Sequence, residues 1–424
     1  MTASSTTSSG RPPNGLGTTA WRNAIFVIFA LSGIALASWV SRLPAVRDAL
    51  ELRIDEVGIL IFAIAAGSIV GLVGSSHLIA RIGAKPTMLA GVLVISTGLT
   101  VAGVGATLGP NFWLAFVGLV FLGAALGITD VAMNVSGAAN ERALGRTIMP
   151  VFHAFFSFGT MFGAGMGALA EFLAVPIALH LGVIAVVLAA AAIAAYRFIQ
   201  VDTVFEVDGS VVADDDHSRS WRGRLSIWRD PRTLLIGLLV LAAAFSEGSA
   251  NDWLALAMVD GHGFDNTGGA LIFGVFVTAM TVARLGGVFL LDRFGRVAVL
   301  RASFLLAASG LIIIIFVPNP VFAVVGTVAW GLGSALGFPV GMSAAADDPK
   351  TAAAKVSAVA TIGYFAFLVG PPVIGILGQQ VGLLGALLTV LVLCALGSLV
   401  ASAARKPSKA STAASTAAST AASR

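Results

Sequence analysis

Charged side chains are scarce in this chain: Asp, Glu, Lys and Arg together make up 11% of its 424 residues. Soluble domains carry about 25% charged residues, so this chain has too little polar surface to cover itself in water. Hydrophobic residues make up 57% of the sequence, and the mean hydropathy is +0.95. These values exclude an ordinary soluble globular protein and predict that most of the chain lies in a lipid bilayer.

Cysteine is also nearly absent, since Cys394 is the one cysteine of the chain. A single thiol has no partner for an intramolecular disulfide, so no disulfide framework is expected. The sequence contains no paired catalytic motif, metal-ligand spacing or phosphate-binding loop that we recognise. We therefore expect no enzymatic activity, no metal and no cofactor.

Long apolar runs fill the rest of the chain. A membrane-spanning helix needs about 20 apolar residues, and this length predicts twelve spans in two sets of six. The spans cover residues 21–41, 56–79, 86–108, 111–135, 148–172 and 175–196, then 233–257, 268–291, 297–317, 319–344, 356–379 and 381–403.

Polar segments separate and flank the two sets of spans. They predict a disordered N-terminal tail at 1–20, a bundle at 21–196, a linker at 197–232, a second bundle at 233–404 and a disordered tail at 405–424. Within the linker, Trp221, Leu225 and Trp228 recur at helical spacing with arginines between them. The spacing is typical of a helix on the membrane surface, and an irregular solvated loop is an equally good interpretation.

The basic residues lie almost entirely on one side of the predicted membrane. If the N-terminus is inside, 21 of the 25 Lys and Arg residues fall in inside segments. Cytoplasmic loops are enriched in Lys and Arg, so the pattern predicts an even number of spans and two cytoplasmic termini. The excess that gives the net charge of +4 therefore orients the protein and does not indicate a nucleic-acid partner.

The second half of the sequence repeats the first at an offset near 210. Gly123–Gly127 in the fourth span recurs as Gly333–Gly337 in the tenth, and Arg81-Ile-Gly83 recurs as Arg293-Phe-Gly295. The glycine-rich stretch Gly159–Gly167 of the fifth span parallels residues 363–375 of the eleventh. Matches in the same order predict two six-helix halves in parallel orientation.

Twelve spans, a parallel six-plus-six repeat and a basic linker resemble the major facilitator superfamily of transporters. The most specific motif is Asp292-Arg293-Phe-Gly295-Arg296, which is similar to the short signature loop of that superfamily. The first-half copy keeps Arg81 and Gly83 but lacks the aspartate. The resemblance implies an all-α membrane protein in which these loops form a cytoplasmic gate.

Three further segments resemble a bacterial branch of the superfamily with largely unassigned substrates, loosely akin to fucose-permease-type sugar–proton symporters. They are 133–146, 152–157 and 247–253. The glycine–proline run that drug–proton antiporters carry in the fifth span is absent there, and Gly370-Pro371-Pro372 lies in the other half. The branch implies a small solute as substrate, protons as coupling partner, and a monomer in the inner membrane.

Ionisable residues inside the predicted spans are the candidate site. Each costs at least ~2.5 kcal/mol at a helix centre, so each is a functional hypothesis by default. We expect Glu247 to be the first proton carrier and Asp130 the second, with fixed structural roles as the alternative. The resemblance implies that His153 approaches Arg284 at the interface between the halves. We expect Glu247 to lie too far along the membrane axis to pair with Arg284, for which Asp130 or an anionic substrate is the better partner.

Polar and aromatic residues near these spans complete the predicted site. Asn134, Asn251, Asp252, Trp330 and Tyr364 are candidates for lining a substrate cavity, since sugars bind to aromatic faces and amides. Core packing is the alternative for the two aromatics, and an interfacial position is the alternative for Asp252. The sequence thus predicts proton-coupled symport of a sugar-like metabolite by alternating access. Proton-driven efflux of hydrophobic compounds, a transport-inactive receptor and a membrane-embedded enzyme are the alternatives.

Overall fold

The computed structural model describes residues 15–145, 148–200, 227–348 and 351–406, and every regular element in these ranges is a helix. Helices dominate because a lipid environment offers no hydrogen-bond partner to the backbone, so each segment must satisfy its own N–H and C=O groups. The described residues are all-α, as the sequence predicts.

Seven helices form the first half of the molecule. They are α1 (Gly15–Val40), the short α2 (Leu43–Ala49), α3 (Ile54–Ile82), α4 (Ala84–Thr107), α5 (Phe112–Leu144), α6 (Met149–Phe172) and α7 (Ile177–Tyr196). The expected tail at 1–20 is too long, because α1 begins at Gly15. Its first turn has a partner: the side-chain amide of Asn140 donates to the carbonyl of Thr18, so the polar start of α1 is held against α5.

The second half begins at Pro231, where Asp230 caps the helix by accepting a hydrogen bond from the backbone of Arg232. Its helices are α8 (Pro231–His262), α9 (Asn266–Phe316), α10 (Pro320–Ser334), α11 (Gly337–Ala345), α12 (Ala352–Val381), α13 (Leu383–Ala386) and α14 (Leu388–Val400), and a 3-10 turn follows at Ala401–Ala404. The surface helix considered for the linker lies outside the described residues, since 201–226 are not described.

Ten helical segments of the described chain are long and apolar enough to cross a membrane. One of them, α9, has 51 residues and would be about 76 Å long as a straight helix, more than twice the hydrocarbon thickness. It reverses direction at Gly295, so it supplies the eighth and ninth spans. Met149–Phe172 supplies the fifth span and packs along α1. The helices thus match the twelve predicted spans.

The two reversals that follow the second and eighth spans have the same backbone geometry. Gly83 has φ 84° and ψ 163°, and Gly295 has φ 76° and ψ 162°. This region is open essentially to glycine alone. The motif Arg-x-Gly is therefore repeated because each half needs one residue that turns the chain between two antiparallel helices.

Close contact between helices follows the same internal symmetry, with one correction to the sequence alignment. A Cβ atom on Gly123 would lie 2.1 Å from the carbonyl oxygen of Ile64, and one on Gly331 would lie 2.6 Å from that of Phe276. Ile64 and Phe276 are separated by 212 residues, as are Gly83 and Gly295. Gly331, rather than the predicted Gly333, thus takes the place of Gly123.

A contact between the start of α8 and the end of the described chain distinguishes the two ends of the bundle. The Arg232 side chain, at the start of α8, donates to the carbonyls of Ala403 and Arg405 near the end of the described chain. We call this end, where α1 also begins, the termini face. The other end, which carries α2 and the beginnings of α3 and α9, is the opposite face.

The glycine reversal gives a testable consequence for stability. Gly295→Ala should lower the apparent melting temperature in detergent, because a strained backbone position of this kind costs about 1–3 kcal/mol. A Cβ at Gly295 would meet no atom within 4 Å, so the loss would report backbone conformation alone. Gly286→Ala is the matched control, since it also lies in open space but is helical. An equal melting temperature for the two variants would contradict this account.

Candidate functional site

An ion pair joins α8 and α9 in the interior of the second half. Nη2 of Arg284 donates to both carboxylate oxygens of Glu247, at 2.8 and 2.9 Å. The side chain of Glu247 is 18% exposed and that of Arg284 is 33% exposed. Nε of Arg284 also donates to the carbonyl of Ala335 at 3.4 Å. Each charge therefore has a partner at membrane depth, where an unpaired one would be costly.

This pair corrects the expectation that Glu247 is too distant from Arg284. Glu247 lies about 16 residues above the start of α8 and Arg284 about 11 above the turn at Gly295, a difference in height of roughly 8 Å. Helical side chains lean toward the N-terminus of their own helix. The two helices are antiparallel, so Arg284 leans toward the opposite face and Glu247 toward the termini face. The two side chains thereby span the difference in height between Glu247 and Arg284.

His153 of the first half interacts electrostatically with Arg284 of this pair. It is exposed near the beginning of α6 and lies within electrostatic range of Arg284. Its ring meets that of Phe29 edge-on, with centroids 5.2 Å apart. The side chains of α6 and α9 thus approach each other where the two halves pack.

A second polar patch lies on α5. The side-chain amide of Asn134 donates to both the backbone carbonyl and a carboxylate oxygen of Asp130, at 2.8 and 3.2 Å. Tyr364 of α12 is 40% exposed and within electrostatic range of Asp130. Asp130 therefore lies near the phenol of Tyr364 in the second half. Arg284 is not its partner.

Trp330 has a different place from the one predicted. It is fully buried, stacks edge-on against Phe276 and donates from its indole nitrogen to the hydroxyl of Ser246 at 2.8 Å. Ser246 in turn shares a hydrogen bond with Ser334. Trp330 thus packs inside the second half, which is the core-packing alternative.

Asn251 and Asp252 lie one to two turns beyond Glu247 on α8, and both are partly buried. Asp252 lines a narrow cleft between α8 and α12. Neighbouring Trp253 is completely buried, so it does not belong to an aromatic belt at the membrane surface.

The residues of the signature loop pair within their own half. Arg296 donates to Asp347 at 2.7 Å and to Ser343 at 2.8 Å, while Arg232 reaches the other oxygen of Asp347 at 2.8 Å. Arg293 lies over the ring of Phe294. Asp292 and Arg81 are exposed.

Contacts between the two halves occur at the opposite face, and sequence reasoning missed them. Arg47 of α2 donates to Asp260 of α8 at 2.5 Å, and Asn266 of α9 donates to Asp48 at 3.0 Å. The backbone N–H of Ile54 donates to Gln379 at 3.1 Å. These residues lie in or beside short loops, where no periodic pattern marks a partner. Together they close the opposite face, and we call them the opposite-face contacts.

Beneath these contacts, α3 and α12 cross at two glycines. A Cβ atom on Gly58 would lie 2.9 Å from the carbonyl oxygen of Pro371, and one on Gly375 would lie 3.1 Å from the Cα of Gly58. Such an approach is typical of small residues at helix interfaces in membranes. Closure of the opposite face thus depends on backbone-to-backbone contact between the halves.

A buried charge cluster in the first half was also missed. Arg42 is 3% exposed, lies 3.2 Å from Glu171 and donates to the carbonyl of Val175 at 2.8 Å. Burial lowers the pKa of the Arg42 guanidinium, and the charge of Glu171 opposes that shift. His180 is buried beside them. The cluster ties the end of α1 to the loop between α6 and α7, and its charge pairing indicates a structural role.

Comparison with known proteins finds similarity to membrane transporters of one superfamily. Residues 243–423 match the family model described as Major Facilitator Superfamily. The chain is 29% identical over 392 residues to an uncharacterized transporter, y4wD, of Sinorhizobium fredii, covering 88% of this chain and 97% of that protein.

Solved structures share the fold at low sequence identity. A variant of the nucleoside transporter NupG superposes with a TM-score of 0.70 at 16% identity, covering 92% of this chain and 98% of the other. A variant of the E. coli fucose:proton symporter FucP gives a TM-score of 0.61 at 17% identity, covering 91% and 98%.

The Glu247–Arg284 pair predicts non-additive effects on stability. Glu247→Gln and Arg284→Gln should each lower the apparent melting temperature, because each leaves one charge without its partner in a poorly solvated site. The double variant should lose less than the sum of the two, with a coupling of about 0.5–3 kcal/mol. Glu51→Gln, at an exposed loop position, is the control and should change little. Additive losses would show that the pair does not contribute as a pair.

Proposed function

We propose that this chain, which resembles transporters of the major facilitator superfamily in sequence and in fold, moves a small polar solute across the cytoplasmic membrane together with protons, by alternating access of one central site. The observation that carries the proposal is the Glu247–Arg284 pair, which joins α8 and α9 at membrane depth. An ion pair of this kind can open when its carboxylate takes up a proton, and this exchange links proton binding to a structural change.

The orientation of the molecule follows from its charges. We infer that the termini face is cytoplasmic, because 21 of the 25 basic residues belong to segments on that side. The opposite-face contacts then lie at the outer surface, and the structure corresponds to a state that is closed toward the outside. The residues 21–196 and 233–404 would be the two rocking bodies, joined by the linker.

Within the described residues, the side chains of the signature loop make no hydrogen bond or ion pair to the first half in this state. Arg296 and Arg232 hold Asp347 within the second half, while Asp292 and Arg81 remain exposed. We propose that Asp292, Arg293 and Arg296, with Arg81 from the first half, join the halves at the cytoplasmic face once the outer face opens. Gly83 and Gly295 provide the turns that present these side chains.

Two carboxylates are proposed to carry protons. Glu247 exchanges between Arg284 and a proton, which would release the guanidinium toward His153 or toward a polar group of the solute. Asp130 is the second candidate, because Asn134 and Tyr364 offer it neutral partners in place of a fixed cation. Asn134, Asn251 and Tyr364 are the polar groups proposed to contact the solute.

Sugars and nucleosides are the first solutes to test. FucP is described as a fucose:proton symporter and NupG as a nucleoside transporter, and both share the fold of this chain. A panel of both classes, with hydrophobic cations as the rival class, should be screened by thermal shift on the purified protein. A ligand at 100 times its Kd stabilises the folded state by about 2.7 kcal/mol, which a melting curve resolves.

Proteoliposomes test proton coupling with the solute that the screen identifies. An inward proton gradient should drive accumulation of that solute, and Glu247→Gln should abolish the accumulation while exchange of labelled for unlabelled solute persists. The reason is that exchange needs only the loaded site to move, whereas accumulation needs proton release. Glu51→Gln is the control and should transport normally. Accumulation by Glu247→Gln at the unaltered rate would refute the coupling role, and stabilisation by hydrophobic cations alone would favour efflux.

A further inference from the structure

Asp252 lies within a membrane-spanning helix of the second half, and it differs from Glu247 on the same helix in having no partner among the described residues. Glu247 pairs with Arg284, Asp260 with Arg47, and Asp347 with Arg296. Among residues 15–145, 148–200, 227–348 and 351–406, the structure shows no hydrogen bond and no ion pair to Asp252. A carboxylate at membrane depth without a counter-charge is costly, so its state of protonation matters to the fold around it.

The surroundings of Asp252 are apolar on both sides. Its cleft is lined by Phe245, Gly248, Ser249, Ala366, Phe367, Gly370 and Pro371. The side chain leans toward Gly248 and Ser249, because helical side chains point toward the N-terminus of their helix. The rings of Phe245 and Phe367 flank the two glycines of the cleft. The lining contains no cation that could compensate an ionised carboxylate.

The cleft offers an acceptor for a protonated acid. Pro371 and Pro372 lie inside α12. Proline has no N–H, so Pro371 leaves the carbonyl of Phe367, four residues earlier, without its helical donor. Phe367 lines the same cleft as Asp252. A neutral carboxylic acid can donate to a free carbonyl, whereas a carboxylate can only repel it.

The position of the cleft connects it to closure of the opposite face. Pro371 is both part of its lining and the residue whose carbonyl oxygen meets Gly58 where α3 crosses α12. The indole of Trp253, next to Asp252, lies against Gly375 of the same crossing. The cleft therefore shares Pro371 with the crossing of α3 and α12, which must separate when the opposite face opens.

We propose that Asp252 is a proton-binding site directly beneath the opposite-face contacts, and that this face closes when Asp252 is protonated. Opening exposes the carboxylate to water, where it ionises. Closure places it against aromatic rings and a free carbonyl, which suit the neutral acid. The inference deepens the proposed function, on which it rests, by adding a residue that couples protons to the gate independently of Glu247.

Other titratable groups near Asp252 have partners of their own or lie at a face of the bundle. The groups on its own helix and on the elements packed around it are Arg232, Glu247, Asp260 and His262 of α8, Arg284, Asp292, Arg293, Arg296 and Arg301 of α9, Lys355 and Tyr364 of α12, Asp55, Glu56, His77 and Arg81 of α3, Arg47 and Asp48 of α2, and Cys394 of α14. None of these side chains lines the cleft.

Distance measurement between spin labels tests the proposal without any solute. Glu51→Cys and Gln380→Cys place one label on each half at exposed positions of the opposite face, and Cys394→Ala removes the native thiol. In this background, the short-distance population should grow when the pH falls from 8 to 6. For a single proton, the ratio of closed to open forms can change by at most about tenfold per pH unit.

Variants at Asp252 separate its role from those of the other acids. Asp252→Asn, which imitates the neutral acid, should give the short distance at both pH values. Asp252→Glu should keep the pH dependence with a displaced midpoint, and it preserves the test if the Asn variant fails to fold. Asp265→Asn, at an exposed position of the same face, is the control and should keep the pH dependence.

Three results would overturn the proposal. They are a wild-type distance that does not change with pH, an unaltered pH response in Asp252→Asn, and an equal loss of the response in Asp265→Asn. These results would leave proton coupling at Glu247 standing. Failure of the proposed transport function would appear instead in the proteoliposome assay, which depends on solute accumulation and not on the label distance.

Discussion

Close approach of helix backbones is the constraint on which this structure depends. Lipid chains are as apolar as leucine side chains, so burying apolar surface does not drive helices together within a membrane. Glycine solves this problem at the contacts between α3 and α5, at the equivalent contacts between α9 and α10, and at the crossing of α3 with α12. The first two kinds of contact hold each half together. The third lies between the halves and can form or break as they move.

Charges are distributed according to the same constraint. Where an ionisable group is part of the permanent packing, as Arg42 is, a counter-charge and a backbone carbonyl hold it. Asp130, which lies near Tyr364 of the second half, has an amide as its partner, and Asp252, in the cleft between α8 and α12, has neither a hydrogen bond nor an ion pair in the described chain. The two acids, which are proposed to carry protons, thus lack the counter-charge that holds Arg42. Glu247 lies between these extremes, because its partner is a single nitrogen of a partly exposed arginine.

The sequence predicts the spans and their symmetry because both depend on local properties: the length of apolar runs, and glycine at a turn that other residues cannot adopt. Side-chain pairing is less accessible. Residue counting placed Glu247 out of reach of Arg284, since it ignored the direction in which helical side chains lean. The pairs Arg47–Asp260 and Asp48–Asn266 join loops more than 200 residues apart, and the local pattern of one loop contains no trace of the other. Trp330 shows a third limit, because a mid-span aromatic has the same sequence signature whether it faces a cavity or a core.

The single-residue reversal at Gly83 also determines how motion travels through the protein. Helix α3 ends at Ile82 and α4 begins at Ala84, so no slack loop lies between them, and the contacts around Gly295 repeat this arrangement. Two helices joined by a single residue are expected to move together, with the turn at one membrane surface. A displacement of the beginning of α3 at the opposite face would then also move the turn at Gly83, because the helix between them is continuous. The basic residues beside the turn at Gly83 would then move when the opposite face opens, some 40 Å away, about the length of the 29-residue helix α3.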